Sequence, residues 1–571
     1  MSFYFKLLKP CLIPFKCQYI SGSSVVYHNF SSELSNEKII EIFSFISFDS
    51  NDDIPPHVRI KTFYAEAYGG GGIGSHGGGA RCGYDGDLLQ IKGIGKNPLT
   101  SNKHDVTGQS DGILLLSSAI YEVLWSEILS RVLPFGSIKC LAIIVIDNHP
   151  LANEKIKDYR ALLIRKITLR PAHFERAPYF KKKLTYALDY VKSDRDRVFY
   201  MHKRLNSYLS NFNENADIHD ASNFDDYIIL FASRQAHQLA FSVCNLIYHS
   251  VSSSNITLDG PWLDFTSTGV IGCDSKSKNK YFIEFFISLM KQSEIIKSTL
   301  QSFIFYHAKY LHLNDNYYIK CLRIANHHFN KNYRNEIIFN LLCIAGVEKN
   351  IARAIVAKKT VISMYKQFLL IIKKIIFNNE IHENKSISKY GFIFFSFHSL
   401  FMTIKFSQHI DLCSYNKIRE QVLNLIMDEY QKININKTCA ARMISITASR
   451  LSGWKKELSY NEIMKVIHSI IHKHDVPRLS FEKSVAGVIE NINRRANFHL
   501  DYASNNKTLC WSEKKFTLVY CAATNKFFIR LSTKTLVFHP SNKFYNFLLT
   551  QKTYRKMIAF YSKIKSTSLF F

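Results

Sequence analysis

The sequence predicts an α+β chain folded as two lobes, and three observations carry that expectation. A glycine-rich segment, Tyr64 to Thr100, leads into a short apolar run that reads as a strand. Two further runs, Leu141 to Asp147 (LAIIVID) and Leu162 to Leu169 (LLIRKITL), are continuous enough to be buried strands. From residue 280 to about 497 the apolar positions instead recur at helical spacing. The expected organisation is an N-terminal extension over 1–60, a first lobe over 61–150, a second over 151–310, and a helical region over 311–571.

Eight of the eleven residues from Gly69 to Gly79 are glycine, including Gly77, Gly78 and Gly79. Such backbone can come close to a phosphate and turn its N–H groups toward it. Leu88-Leu89-Gln90-Ile91 then reads as a strand, and Lys92 follows at once, able to place a point charge on the same phosphates. No Gly-Lys-Ser/Thr follows the glycines, which excludes a Walker loop. A glycine loop and a lysine on different strands is instead the protein-kinase arrangement.

Past Lys92, Ser110 or Asp111 offers a cap for a helix from Ile113 to Leu133. Leu116, Ile120, Leu124 and Ile128 form its core stripe. Glu122 lies off that stripe beside the small Ser118 and Ala119, so it could meet Lys92; Glu127 is the rival position. Arg165 within the second apolar run and Arg170 just beyond it suit bidentate phosphate contacts. Residues 180–211 read as a charged, solvated helical stretch, and Tyr227 to Ile247 as another helix. In the loop that follows, Asn255 and Asp264 stand nine positions apart. An amide oxygen and a carboxylate, with nucleotide phosphates, suffice for Mg²⁺, which keeps several waters. Asp259, in Asp-Gly-Pro, is a turn residue.

Composition bounds the function classes. The formal charge of +28 would suit nucleic acid, an acidic protein or an anionic membrane, but no arginine-rich helix, RNP-type motif or Cys/His finger accompanies it. Abundant Lys, Asn, Ile, Phe and Tyr point to compositional bias and a solvated basic surface. Twelve cysteines without a C-x-x-C pair read as free thiols of a cytoplasmic protein. The most apolar run, Tyr390 to Phe406, is interrupted by His398 and Lys405 and is short of the ~20 residues a membrane span needs. His327-His328, and His382 with Glu383, read as structural or surface residues without metal-ligand company. Near the C-terminus, KFTLVYCAATNKFFIRLS reads as a β-hairpin around Ala523-Thr524-Asn525.

Taken together in chain order, these residues resemble the selenoprotein O family. The matching run is Tyr64-Ala65, the glycines with Arg81, Ile91-Lys92-Gly93, Asp111-Gly112, Leu116 to Glu122, Arg165, Leu169-Arg170, His173-Phe174-Glu175, His249, Asn255 and Asp264, within about residues 60–275. The resemblance implies a bilobal protein-kinase-like fold, here extended by a large helical C-terminal half and a small C-terminal hairpin appendage. It also implies an inverted nucleotide, with AMP rather than phosphate passing from ATP to protein hydroxyls. By carry-over, Lys92 contacts phosphates and pairs with Glu122; Asn255 and Asp264 hold Mg²⁺ or Mn²⁺; and Arg81, Arg165 and Arg170 surround the phosphate tail. Lys92, Glu122 and Asp264 would then be the catalytic set, with Gly77, Gly78 and Gly79 beside the nucleotide.

Two departures shape the expected chemistry. Ile113 stands where the family has an arginine, and Ser253-Ser254-Asn255 lacks the family's aspartate that could act as a base. An ionised acceptor needs no base, so the expectation is AMP transfer onto a protein or peptide, activating a peptide carboxylate as in siderophore-microcin maturation. A partner subunit is compatible with this. The alternative is a catalytically silent kinase-like scaffold that binds nucleotide or a partner protein.

Overall fold

The computed structural model describes residues 3–30, 34–48, 57–101, 111–150, 158–180, 187–212, 223–271, 279–377, 413–451, 456–473, 479–550 and 554–558. The expectations for Ser110, His382, Glu383 and the run Tyr390 to Phe406 lie outside these residues.

Eight antiparallel strands form the main sheet: β1 (Leu12–Tyr19), β2 (Ser23–His28), β3 (Phe45–Ser47), β4 (Ile60–Glu66), β5 (Cys82–Tyr84), β6 (Leu89–Lys92), β7 (Cys140–Pro150) and β8 (Tyr159–Lys166). Their order is β2-β7-β8-β6-β5-β4-β1-β3. The first sixty residues are therefore not an extension: three of these strands come from them, and β2 pairs with β7 more than a hundred residues away. Nor does the sheet stop at residue 150, since β8 pairs with both β6 and β7. Short runs punctuated by Ser and Asn conceal such pairing because it is non-local.

Two apolar layers cover the sheet. On one face Ile91, Ile144, Leu162 and Ile164 pack with Phe43, Phe45 and Phe63. On the other, Ile143, Val145 and Leu163 pack against a helix. In chain order the helices to residue 377 are α1 (Phe3–Leu8), α2 (Asn36–Phe43), α3 (Leu116–Val132), α4 (Ala187–Phe212), α5 (Phe224–Cys244), α6 (Asn279–Tyr310), α7 (Asp315–Ile344), α8 (Lys349–Ile355) and α9 (Lys359–Phe377). The sheet-facing helix is α3, which starts at Leu116 rather than Ile113. Asp111 does not cap it: its carboxylate accepts the N–H of Ile113 (2.8 Å) in a turn, and Leu115 occupies the cap position with no side-chain bond.

The stripe Leu116, Ile120, Leu124 and Ile128 is buried, but so are Tyr121, Val123, Trp125 and Leu129. The reason is that α3 lies between β7–β8 and two later helices, Tyr460–Lys473 and Leu479–Leu500. The C-terminal helical region thus packs directly behind the first sheet. After a short pair, β9 (Ile247–Tyr248) and β10 (Gly269–Val270), the terminal hairpin is the centre of a four-stranded sheet, β11 (Lys507–Glu513), β12 (Phe516–Cys521), β13 (Lys526–Leu531) and β14 (Thr535–Phe538). An isolated two-stranded hairpin is marginal in water, and the flanking strands make it a stable unit.

Ten described cysteines are free and buried. Among the described residues, no helix is long and apolar enough to cross a membrane.

Candidate functional site

Side chains alternate along a strand, so β6 sends Ile91 into one apolar layer and turns Gln90 and Lys92 toward α3. The ammonium of Lys92 donates to Glu122 Oε2 at 2.6 Å and to Asp264 Oδ1 at 2.7 Å. Glu122 is fully buried, and its other oxygen accepts Arg165 at 2.9 Å. One carboxylate from α3 therefore ties two cations on neighbouring strands. Glu127, barely a turn later, faces the sheet edge and meets Asn29 (3.3 Å) and Arg131 (3.2 Å). Glu122, not its rival, reaches Lys92.

A second layer of buried polar groups fixes the arginines. Gln90 lies directly across from Arg165 in the β6–β8 register. Its amide nitrogen donates to Glu66 Oε1 (2.6 Å), which leaves its oxygen to accept Arg165 Nε (2.7 Å). His173 sits 3.4 Å from the other Glu66 oxygen and accepts the backbone N–H of Arg170 (3.1 Å). Burial keeps His173 below its ordinary pKa, so the imidazole is neutral near pH 7. Arg170 donates to Ser254 O (3.1 Å) and lies over the ring of Tyr68.

A cavity of about 220 Å³ opens between the glycine segment and the 250–267 loop. Arg81, Lys92, Arg165, Asn255 and Asp264 all line it, with Gly78 and Gly79. Gly77 and Arg170 do not. The N–H of Gly77 donates to Leu99 O (3.0 Å), and a Cβ there would strike Phe180. Gly79 N–H is likewise spent, on Glu66 O (3.0 Å). The glycines serve close packing more than N–H donation: Gly78 has φ +147°, and a Cβ on it would come within 2.2 Å of Glu66 O. Arg170 stands behind the wall and supports Tyr68 and Ser254, which do line the cavity.

Asn255 and Asp264 share the opposite wall. Asn255 closes a turn onto Ser252 O (2.9 Å) and accepts Leu263 N–H (3.0 Å), so the two metal candidates are joined by a bridged loop. Asp264 adopts φ +64°, a left-handed conformation that aspartate tolerates better than most residues. About a quarter (27%) of its side chain is exposed. Burial opposes its charge, but Lys92, Arg165 and Arg81 outweigh it and hold the carboxyl far below the usual range. Beneath the loop His249 stacks on Trp262 and bonds Thr268 (2.8 Å); burial lowers its pKa to about 4, a neutral core residue.

The cavity thus brings together three cations and one half-buried anion, with a second anion, Glu122, buried behind the wall and committed to two of the cations. Such a set is chemically suited to a phosphate-rich anion, and Asp264 with Asn255 could offer a hard cation two oxygen donors. Among the described residues no cluster of three or more His, Cys, Asp or Glu side chains that could hold a metal ion is found, in this cavity or outside it.

Glu66, Gln90 and the serines 252–254 went unread in the sequence as site residues. Gln90 had a detectable signal: a polar residue two places before Lys92 in an apolar strand shares its face. Glu66 closes a strand whose partner is set by the fold, and no local pattern announces it. Neither a scan against protein-family models nor a search of curated proteins returned a match for this chain.

Proposed function

We propose that this chain is a nucleotidyltransferase of protein-kinase-like type, moving AMP from ATP onto a protein or peptide acceptor. The observation that carries the reading is the convergence of Lys92, Asn255 and Asp264 on one cavity, with Arg81 and Arg165 beside them. These are among the residues the selenoprotein O resemblance assigns to ATP and metal, and they come from three separated stretches of sequence. Lys92, aligned by Glu122, and Arg165, aligned by Glu122 and Gln90, would hold phosphate oxygens at fixed positions. Charge placed in advance where the reaction needs it is the largest contribution such a site makes. Asn255 and Asp264 would hold Mg²⁺ or Mn²⁺, which when bound neutralises phosphate charge. Arg81 faces the same cavity, its guanidinium anchored on Ile113 O (3.2 Å).

The second reading, a silent scaffold, is favoured by one contact: Lys92 also occupies Asp264. A protein that never loads metal would keep that ion pair permanently. Labelled ATP separates the two. The full chain is incubated with Mn²⁺ or Mg²⁺, protein and peptide acceptors, and ATP labelled at the α- or γ-phosphate. Transfer of α-label alone supports AMP transfer, and γ-label indicates a kinase. ATP binding without transfer of either label supports the scaffold.

A further inference from the structure

The C-terminal sheet β11–β14 has two unlike faces. One carries Cys510, Leu518, Tyr520, Phe527 and Ile529, all buried beneath the helices Lys437–Leu451, Leu479–Leu500 and Asn542–Thr550. Strand alternation sends the intervening residues to the opposite face. There the register sets Leu509 beside Val519, Val519 beside Phe528, and Phe528 beside Val537. One apolar residue from every strand thus joins a single row, about 14 Å long at ~4.8 Å between strands. Leu509, Val519 and Phe528 are half-buried, and Val537 is 50% exposed. None of the four belongs to an apolar core, whereas Leu536 and Phe538, on either side of Val537, pack against one.

The row is bordered by cations. Along one side Lys507 and Lys526 flank Cys521 in the register; along the other stand Thr517, Arg530 and Thr535, with Lys514, Lys515 and Lys534 in the adjoining turns. From Lys507 to Lys543 the chain has seven Lys or Arg residues and one carboxylate, Glu513, which accepts the indole N–H of Trp511 (3.3 Å). Among the described residues, Lys507, Lys526 and Arg530 form no ion pair. This charge lies on a different sheet from the cationic cavity and has no use there.

We propose that this face docks an acidic amphipathic helix of a partner protein, with its apolar stripe on the row Leu509–Val519–Phe528–Val537 and its carboxylates against the bordering cations. The inference is independent of the AMP-transfer reading. A row of about 14 Å matches about nine helical residues at 1.5 Å each, and a helix with one apolar stripe presents polar side chains along both of its borders. Cations on both sides select carboxylates there and repel a basic partner. A second copy would bring the same basic face against itself. Single-stranded nucleic acid stacks its bases on several aromatic rings, and the row offers Phe528 alone.

The test is fluorescence anisotropy on the full chain with labelled probes. One peptide carries leucines at helical spacing with glutamates along both borders; a second has the same composition with the stripe scrambled; the third probe is an oligothymidylate. The striped peptide should bind at least ten-fold more tightly than the scrambled one, and less tightly as salt rises. Phe528→Glu should weaken that binding at least ten-fold. Val537→Glu, at an exposed position of the edge strand, should weaken it several-fold with an unchanged melting temperature, so that loss of fold is not mistaken for loss of the site. No binding of the striped peptide, equal binding of the two peptides, or binding that neither variant alters overturns the proposal. Oligothymidylate held more tightly than the striped peptide, and released by Phe528→Glu, would give the face to nucleic acid instead. A dimer seen in sedimentation and abolished by Val537→Glu would give it to a second copy, and either result overturns the acidic helix.

Discussion

The two larger sheets of this molecule are both antiparallel, yet their interiors differ in kind. In the eight-stranded sheet, Glu66, Gln90, Lys92 and Arg165 are buried to 2% exposure or less, on strands that otherwise carry Val, Ile, Leu and Phe. In the C-terminal sheet the buried strand residues are Cys510, Phe516, Leu518, Tyr520, Cys521, Phe527, Ile529 and the hydroxyl of Thr508. None of those is charged. Removing an ion from water costs several kcal/mol even after pairing, and an apolar replacement of similar volume is often no less stable. Stability alone therefore accounts for the second interior and not for the first. The charges of the first sheet converge on a cavity, which is where such a cost has a use.

If that contrast is sound, substitutions in the two sheets should fail in different assays. The largest effect is expected at Asp264. Asp264→Asn keeps the shape, removes an anion, and should lower AMP transfer about a thousand-fold, or ~4 kcal/mol of barrier. Lys92 retains Glu122, so the fold should hold. Thermal stabilisation by ATP should lose its dependence on Mn²⁺; a variant that keeps it would sever Asp264 from the metal. Next comes Phe527→Ala in β13, at the centre of the apolar interior. It should cost about 3–5 kcal/mol in stability, read as a lower denaturant midpoint, while the folded fraction binds ATP with unchanged affinity. A shift in ATP affinity there would erase the distinction between the two sheets.

How much of this was legible in the sequence follows the same division. Where chemistry and strand period coincide locally, the sequence sufficed: the strand leading to Lys92, the apolar runs of β7 and β8 and the hairpin β12–β13 have local signals, whereas the choice of Glu122 over Glu127 as partner of Lys92 was open from the residues alone. Where position depends on long-range pairing, it did not. The strands of residues 12–47 and the passage of β8 into the first sheet are set by partners far away in sequence, whereas β11 and β14 join the hairpin through tight turns that the sequence reading passed over. For the site, the resemblance implied that Gly77, Gly78 and Gly79 would lie beside the nucleotide and that Arg81, Arg165 and Arg170 would surround its phosphates. Backbone bonds at Gly77 and the Tyr68–Ser254 contacts of Arg170 turn those two away. Nothing in the serine triplet at 252–254 foretold that a glutamate from residue 175 would bond to it.

Gln90 offers a finer cut through the first sheet because it carries no charge of its own. Its amide is held in one orientation by Glu66, and its oxygen then aligns Arg165. Gln90→Leu preserves volume but leaves Arg165 Nε and Glu66 Oε1 without these partners. A buried group stripped of its partner costs about 1–3 kcal/mol, so transfer should fall about ten- to a hundred-fold. If Gln90 acts by positioning, the loss appears mainly in kcat, and Gln90→Glu does not restore it, because a carboxylate beside Glu66 adds repulsion. A purely structural role would lower stability and leave kcat of the folded protein intact.

The smallest effect concerns the buried Glu175 as a load on the fold. Its folded pKa lies above the ordinary glutamate value because burial disfavours the charge. A group shifted this way favours the fold fully below its unfolded pKa, and that contribution is lost as pH rises through the folded value. Glu175→Gln keeps the bonding to Ser253 open but cannot ionise. It should therefore raise the apparent Tm at pH 8 by about 1 °C, the shift expected from ~1 kcal/mol spread over the unfolding entropy of a chain this long. Toward pH 4 the gain should shrink, since the native carboxyl is then protonated as well. A gain that is equal at pH 8 and pH 4 would mean that the carboxylate charge is not the source of the strain.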